Sequence, residues 1–100
     1  MRLIVRPEAE ADIGDAYAWY ELQQPGLGQR FLAEMSRCIT DIQHQPLRFQ
    51  RVRAEARRAL LRRFPYAVFF VLAQDHVAIL AAMHMARDPA AWQERVDRDV

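Results

Sequence analysis

Residues 64 to 83, FPYAVFFVLAQDHVAILAAM, form the longest apolar run in the chain, and the triplet Gln74-Asp75-His76 divides it at its middle. A membrane helix would carry that triplet at the centre of the bilayer, where a charged residue costs a few kcal/mol. The two halves, AVFFVLA (67–73) and HVAILAAM (76–83), are short and rich in β-branched or aromatic residues, and the QD dipeptide between them is a turn signal. They predict a pair of strands. RRALLRRF (57–64) precedes them across a PY turn, and the three together predict an antiparallel meander.

A meander needs something to cover it, and the first half of the chain supplies two amphipathic helices. LIV (3–5) reads as a short strand ended by Pro7, which suits the first helical turn. Glu8, Glu10 and Asp12 complement the amino-terminal dipole of the helix that follows, and Ala9, Ile13, Ala16 and Tyr20 recur on one face. QQPGLG stops it. A second helix places Phe31, Met35, Ile39 and Ile42 on one face, with Leu32 and Cys38 beside them, and Pro46 ends it. A loop this short makes the two helices antiparallel. Asp88-Pro89 starts a last helix, an N-cap acid followed by a residue pre-set for the first turn. The expected fold is α+β: a helical hairpin packed on a small antiparallel sheet in the order β-α-α-β-β-β, with a short C-terminal helix and the helices on one face. The edge against which the first strand docks is not readable from so short a run.

One hundred residues bury a single core, so one domain over 1–100 is expected. Cys38 is the only cysteine, which excludes an intramolecular disulfide and fits a reducing cytoplasm; MRLIVRPEAEAD does not read as a signal peptide. The net charge of +1 hides an uneven distribution. Residues 46 to 63 carry seven arginines against Glu55 alone, whereas residues 1 to 45 carry four arginines against seven acids. All fourteen cationic residues are arginine, so lysine is absent from any mechanism.

Arg57, Arg58, Arg62 and Arg63 bracket a short apolar centre, and period-two geometry puts two guanidinium groups on each face of their strand. Such a strand is either a solvated edge guarded against aggregation or a surface for an acidic partner or a phosphate. His84 and Arg87 follow the last strand in AAMHMARDPAAW. They read either as a base with a phosphate-holding arginine or as local hydrogen-bonding groups at a strand-to-helix junction. His44 and His76 lack metal-ligand spacing relative to His84, and no metal site is expected. Cys38 reads as inert packing, Trp19, Tyr20 and Trp92 as aromatic anchors, and PGLG lacks the spacing of a phosphate loop, so no nucleotide cofactor is expected.

Four segments taken in order resemble the RelE/ParE toxins of bacterial type II toxin-antitoxin pairs, also called plasmid stabilisation proteins. They are AEADIGDAYAWYE (9–21), PGLGQRF (25–31), RRALLRRFPYAVFF (57–70) and HMARDPAAW (84–92), and together they span nearly the whole chain. The resemblance implies a small sheet packed against a helical hairpin, and two alternative activities. RelE-like members are ribosome-dependent messenger RNA endoribonucleases; ParE-like members bind DNA gyrase and trap its cleaved complex. RelE-like catalysis draws on lysines, arginines and a tyrosine near the carboxyl terminus, whereas this chain has no lysine and no tyrosine after Tyr66. The wording RRFPY and H-x-x-RDP-x-x-W is ParE-like. The expectation is therefore a cytoplasmic toxin without cofactor that is not itself a catalyst. It would present Arg57, Arg58, Arg62, Arg63, His84 and Arg87 to gyrase or to an antitoxin, with no direct DNA binding of its own. A RelE-like nuclease would instead use His84 as base and Arg62 and Arg87 as phosphate clamps on ribosome-bound mRNA, and a degenerate member would only bind antitoxin.

Overall fold

A computed structural model describes residues 1–99. Its elements run β1 (Arg2–Val5), α1 (Pro7–Gln23), α2 (Leu27–His44), a 3-10 turn (Pro46–Arg48), β2 (Arg51–Arg53), β3 (Ala56–Leu60), β4 (Tyr66–Leu72), β5 (His76–His84) and α3 (Pro89–Asp99). The five strands form one sheet in the order β1-β5-β4-β3-β2. The expected meander is β3-β4-β5, antiparallel throughout. The first strand, whose position the sequence left open, pairs in parallel with the first half of β5, from Arg2 opposite His76 to Val5 opposite Ile79, so the sheet is mixed.

The hairpin covers one face of this sheet. Gln24 to Gly26 reverse the chain between α1 and α2, and Gly26 takes a left-handed conformation at φ 89° that favours glycine. Glu21 then satisfies the start of α2, its carboxylate accepting the backbone N–H groups of Gly26 and Gly28 at 2.9 Å each. Ala9, Ala16 and Tyr20 of α1 are buried as the spacing predicts, with Ile13 partly so. On α2 the buried stripe is Phe31, Met35, Cys38 and Ile42, so Cys38 lies at its centre and Ile39 at its flank. The rings of Tyr20, Phe31 and Phe64 meet at 4.9 to 5.4 Å between centroids and tie the hairpin to the end of the meander.

Three expectations require correction. The strand read over 57–64 stops at Leu60, because residues 61–65 form a tight connection in which Leu61 donates to the Tyr66 carbonyl at 3.0 Å and Leu61 and Phe64 turn into the hairpin-side core. That strand is also not an edge. The short strand β2 lies outside it, reached through a turn in which Ala54 has φ 50°. The helices, finally, are not all on one face: Trp92 and Val96 of α3 pack with Ala56, Phe69, Leu80 and Ala81 on the side away from the hairpin. The Trp92 ring stacks on Phe69 at 4.5 Å.

A bulge in β5 explains how both faces are filled from one apolar run. Phe69 pairs with Ala81 and Phe70 with Ile79, which leaves Leu80 as the extra residue. Leu80 and Ala81 consequently both pack toward α3, and Ala82 returns to the hairpin side. Among the described residues no helix is long and apolar enough to cross a membrane.

Candidate functional site

The arginine-rich segment does not present one wall. Arg57 stands opposite Phe70, a residue of the hairpin-side core, and its Nη1 donates to the Phe49 carbonyl at 2.6 Å. Arg58 stands opposite Phe69, on the face that α3 covers. Arg62 and Arg63 fall outside the strand, exposed in the connection 61–65. The expectation of two guanidinium groups on each face of a single strand is corrected accordingly: only Arg57 and Arg58 alternate, and they are on opposite sides.

The other end of the sheet does bring distant residues together. His84 is the last residue of β5 and lies opposite Tyr66, the first of β4, their rings 5.3 Å apart in an edge arrangement. Met85 donates its N–H to the Pro65 carbonyl at 2.8 Å, which lashes the loop carrying Arg87 to the connection carrying Arg62 and Arg63. The four residues thus share one end of the molecule but not one depression. His84 and Arg87 line a pocket of about 270 Å³ with Tyr66 and with Asp12, Asp15 and Trp19 of α1. Arg62 and Arg63 line separate depressions toward Met85 and toward α2. Among the described residues no carboxylate lies within 4.0 Å of the guanidinium of Arg57, Arg58, Arg62, Arg63 or Arg87.

The pocket is furnished with donors. His84 Nδ1 faces the Ala86 N–H at 3.0 Å and accepts it, so the neutral ring carries its proton on Nε2 and donates from there. Burial, reinforced by Tyr20 and Asp12, pushes the Tyr66 phenol above its ordinary value, so its hydroxyl is a donor at neutral pH. Asp12 is fully engaged. Its Oδ2 accepts the Ala82 N–H at 3.0 Å and Arg95 Nη1 at 2.9 Å, while Arg95 also donates to the Leu80 carbonyl at 3.0 Å. This pair, 13% exposed on each side, fills the edge of β5 beyond the end of β1 and ties α1 to α3. Sequence reading placed Asp12 only as a helix-dipole acid and did not single out Arg95. Their sequence separation of 83 residues carries no local signal.

The remaining candidates behave as packing or turn residues. Burial first, then the Asp41 carboxylate, pushes the Cys38 thiol up to about 11, which leaves negligible thiolate at neutral pH. His76 Nδ1 lies 2.8 Å from Asp75 in the β4-β5 turn, and His44 ends α2. The junction itself is built as the dipeptide predicts: Asp88 Oδ1 accepts the Ala90 N–H at 3.0 Å and caps α3.

Residues 3–89 match the family model described as the ParE toxin of the type II toxin-antitoxin system parDE. A solved structure of the chromosomal ParDE TA system from P. aeruginosa contains a similar chain, with a TM-score of 0.73 at 18% identity, over 84% of this chain and 95% of that one. That likeness concerns the fold. No curated protein matches the sequence.

Proposed function

The chain belongs to the ParE toxin family of type II toxin-antitoxin systems, and from that premise we propose that it acts as a cytoplasmic toxin, one domain over its whole length, that arrests growth by binding DNA gyrase. It works as a docking surface. The cognate antitoxin of the pair holds it inactive, and plasmid or chromosomal stabilisation follows from the loss of that antitoxin.

The observation that carries this reading is the pocket at the end of the sheet. Its groups bind: Arg87 supplies a fixed charge without a carboxylate partner among the described residues, His84 Nε2 and the Tyr66 hydroxyl supply protons to hydrogen bonds, and Trp19 offers an exposed aromatic wall. A ribonuclease of RelE type needs a base at the 2′-hydroxyl and cations converging on one phosphate. Here the Nδ1 contact with Ala86 puts the His84 proton on the nitrogen that would have to receive one, and Arg62 and Arg87 line different depressions. Direct DNA binding by the chain alone is not part of the reading.

Induced expression in bacteria provides the cellular test. Growth arrest accompanied by DNA-damage signalling and altered plasmid supercoiling, relieved by gyrase mutations, is the expected result. Immediate loss of translation with cleaved messages would contradict it.

A further inference from the structure

The floor of the pocket at the end of the sheet is the backbone of β5, and part of that backbone is unpaired. Leu61 donates to the Tyr66 carbonyl, so the peptide groups of Tyr66 face β3, and Tyr66 stands opposite His84 with no backbone hydrogen bond between them. The same alternation makes Val68 and Ala82 such a pair. The N–H and C=O groups of Ala82 and His84 therefore point to the other edge of β5, beyond the last pairing with β1 at Ile79. Two of the four are engaged there, the Ala82 N–H by Asp12 and the His84 carbonyl by the Arg87 N–H, each at 3.0 Å. The Ala82 carbonyl and the His84 N–H have no partner among the described residues.

An acceptor and a donor two residues apart on one edge are what a single residue of a parallel strand engages, its N–H meeting the earlier carbonyl and its C=O the later N–H. An antiparallel neighbour needs both groups of one residue, and Ala82 and His84 have each given up one. The strand β1 already uses the parallel arrangement on this edge, where Arg6 donates to the Ile79 carbonyl at 3.0 Å. A residue clamped in this way lies opposite Met83, whose side chain is on the α3 face, and the residue after it lies opposite His84 on the hairpin face, inside the pocket with Tyr66 and Arg87.

We propose that the pocket receives an extended acidic segment of a partner protein running parallel to β5. One residue clamps onto the Ala82 carbonyl and the His84 N–H, and the next is an acid whose carboxylate is held by Arg87 and His84. That the partner is the target of the toxin rests on the function proposed above. Two observations select a peptide over a nucleic acid. A phosphodiester has no donor for the Ala82 carbonyl, and Asp15 on the α1 wall opposes a run of phosphates, whereas a peptide places a neutral residue beside it.

The test titrates the full chain, labelled with nitrogen-15, with the capped peptide acetyl-Thr-Val-Val-Glu-Thr-amide, whose second valine is the residue to be clamped. The His84 amide resonance shifts and saturates at millimolar peptide. Methylating the amide nitrogen of that second valine weakens binding roughly tenfold, the worth of one hydrogen bond; methylating the glutamate nitrogen, which faces away from β5, does not. Glutamine in place of glutamate and Arg87→Gln in the protein each weaken binding several-fold. The proposal is overturned if the His84 amide does not respond, if both methylated peptides bind alike, or if a short single-stranded RNA displaces the peptide at lower concentration. Peptide binding by a chain that leaves gyrase undisturbed overturns the functional reading alone, and gyrase inhibition by a chain that ignores the peptide overturns the clamp alone.

Discussion

At Gly28 the helices α1 and α2 come so close that a Cβ would lie 2.8 Å from both the Tyr17 carbonyl and Glu21 Oε1. A backbone oxygen cannot swing away as a side-chain tip can, so Gly28→Ala must separate the hairpin. We expect a loss of about 1–3 kcal/mol in chemical denaturation. Asp12 and Arg95 present the converse case, in which a largely buried charge loses its nearer carboxylate. Asp12→Ala leaves the Arg95 guanidinium, 13% exposed, beside the Leu80 carbonyl with only the more exposed Glu8 at 3.8 Å, at a cost of about 3 kcal/mol, the low end for breaking a buried pair. Replacing both partners by apolar residues of similar volume should restore most of that loss in the same measurement. Cys38, with its thiol held near 11 by burial, should react with alkylating reagents at pH 8 far more slowly in the native chain than in urea; equal rates would place the thiol outside the core.

The helix α3 is attached differently from the hairpin. Its apolar contribution is Ala91, Trp92 and Val96, and the rest of its attachment is electrostatic: besides Arg95 to Asp12, Arg53 to Asp97 in a two-pronged pair at 2.8 and 2.9 Å, Arg98 to Glu8 at 3.2 Å, and Arg6 to Asp99 at 3.5 Å. The hydrogen bond from Arg53 holds the Asp97 carboxyl below its ordinary value. A depressed carboxyl contributes attachment above its unfolded value, near pH 4, and loses it as pH falls through the folded one. In a Trp19→Phe background, where Trp92 is the sole indole, its fluorescence should therefore change as pH drops below about 4, and the change should vanish in Asp97→Asn. The helices and the meander were legible in the sequence because Ala9 to Tyr20, Phe31 to Ile42 and the interrupted run 64–83 carry strong periodic or compositional signals. Three features were not. The strand β2 is polar and three residues long, the bulge at Leu80 breaks alternation inside a uniformly apolar segment, and the side on which α3 packs is set by Phe69 and Trp92 meeting across the chain.

On the scale of the whole molecule, charge is arranged by topology. Arginines that are neighbours in the sequence are dealt to different sides, Arg57 toward Phe49 and Arg58 toward α3, while residues far apart are gathered at the end of the sheet and along α2. This is why the candidate site was legible only in part. His84, Arg87, Arg62 and Arg63 could be named from their motifs, but their division between a pocket and separate depressions depends on which wall α1 and α2 supply, and Trp19 becomes visible only with those walls in place. The family membership and the fold set the frame, and the target is decided by function. The most direct measurement is ATP-dependent supercoiling by purified gyrase in the presence of the purified chain. Inhibition with accumulation of cleaved DNA, reduced at least tenfold by Arg87→Glu in a variant of native stability, is the predicted result; undisturbed supercoiling at every concentration of a folded wild-type chain would contradict the account.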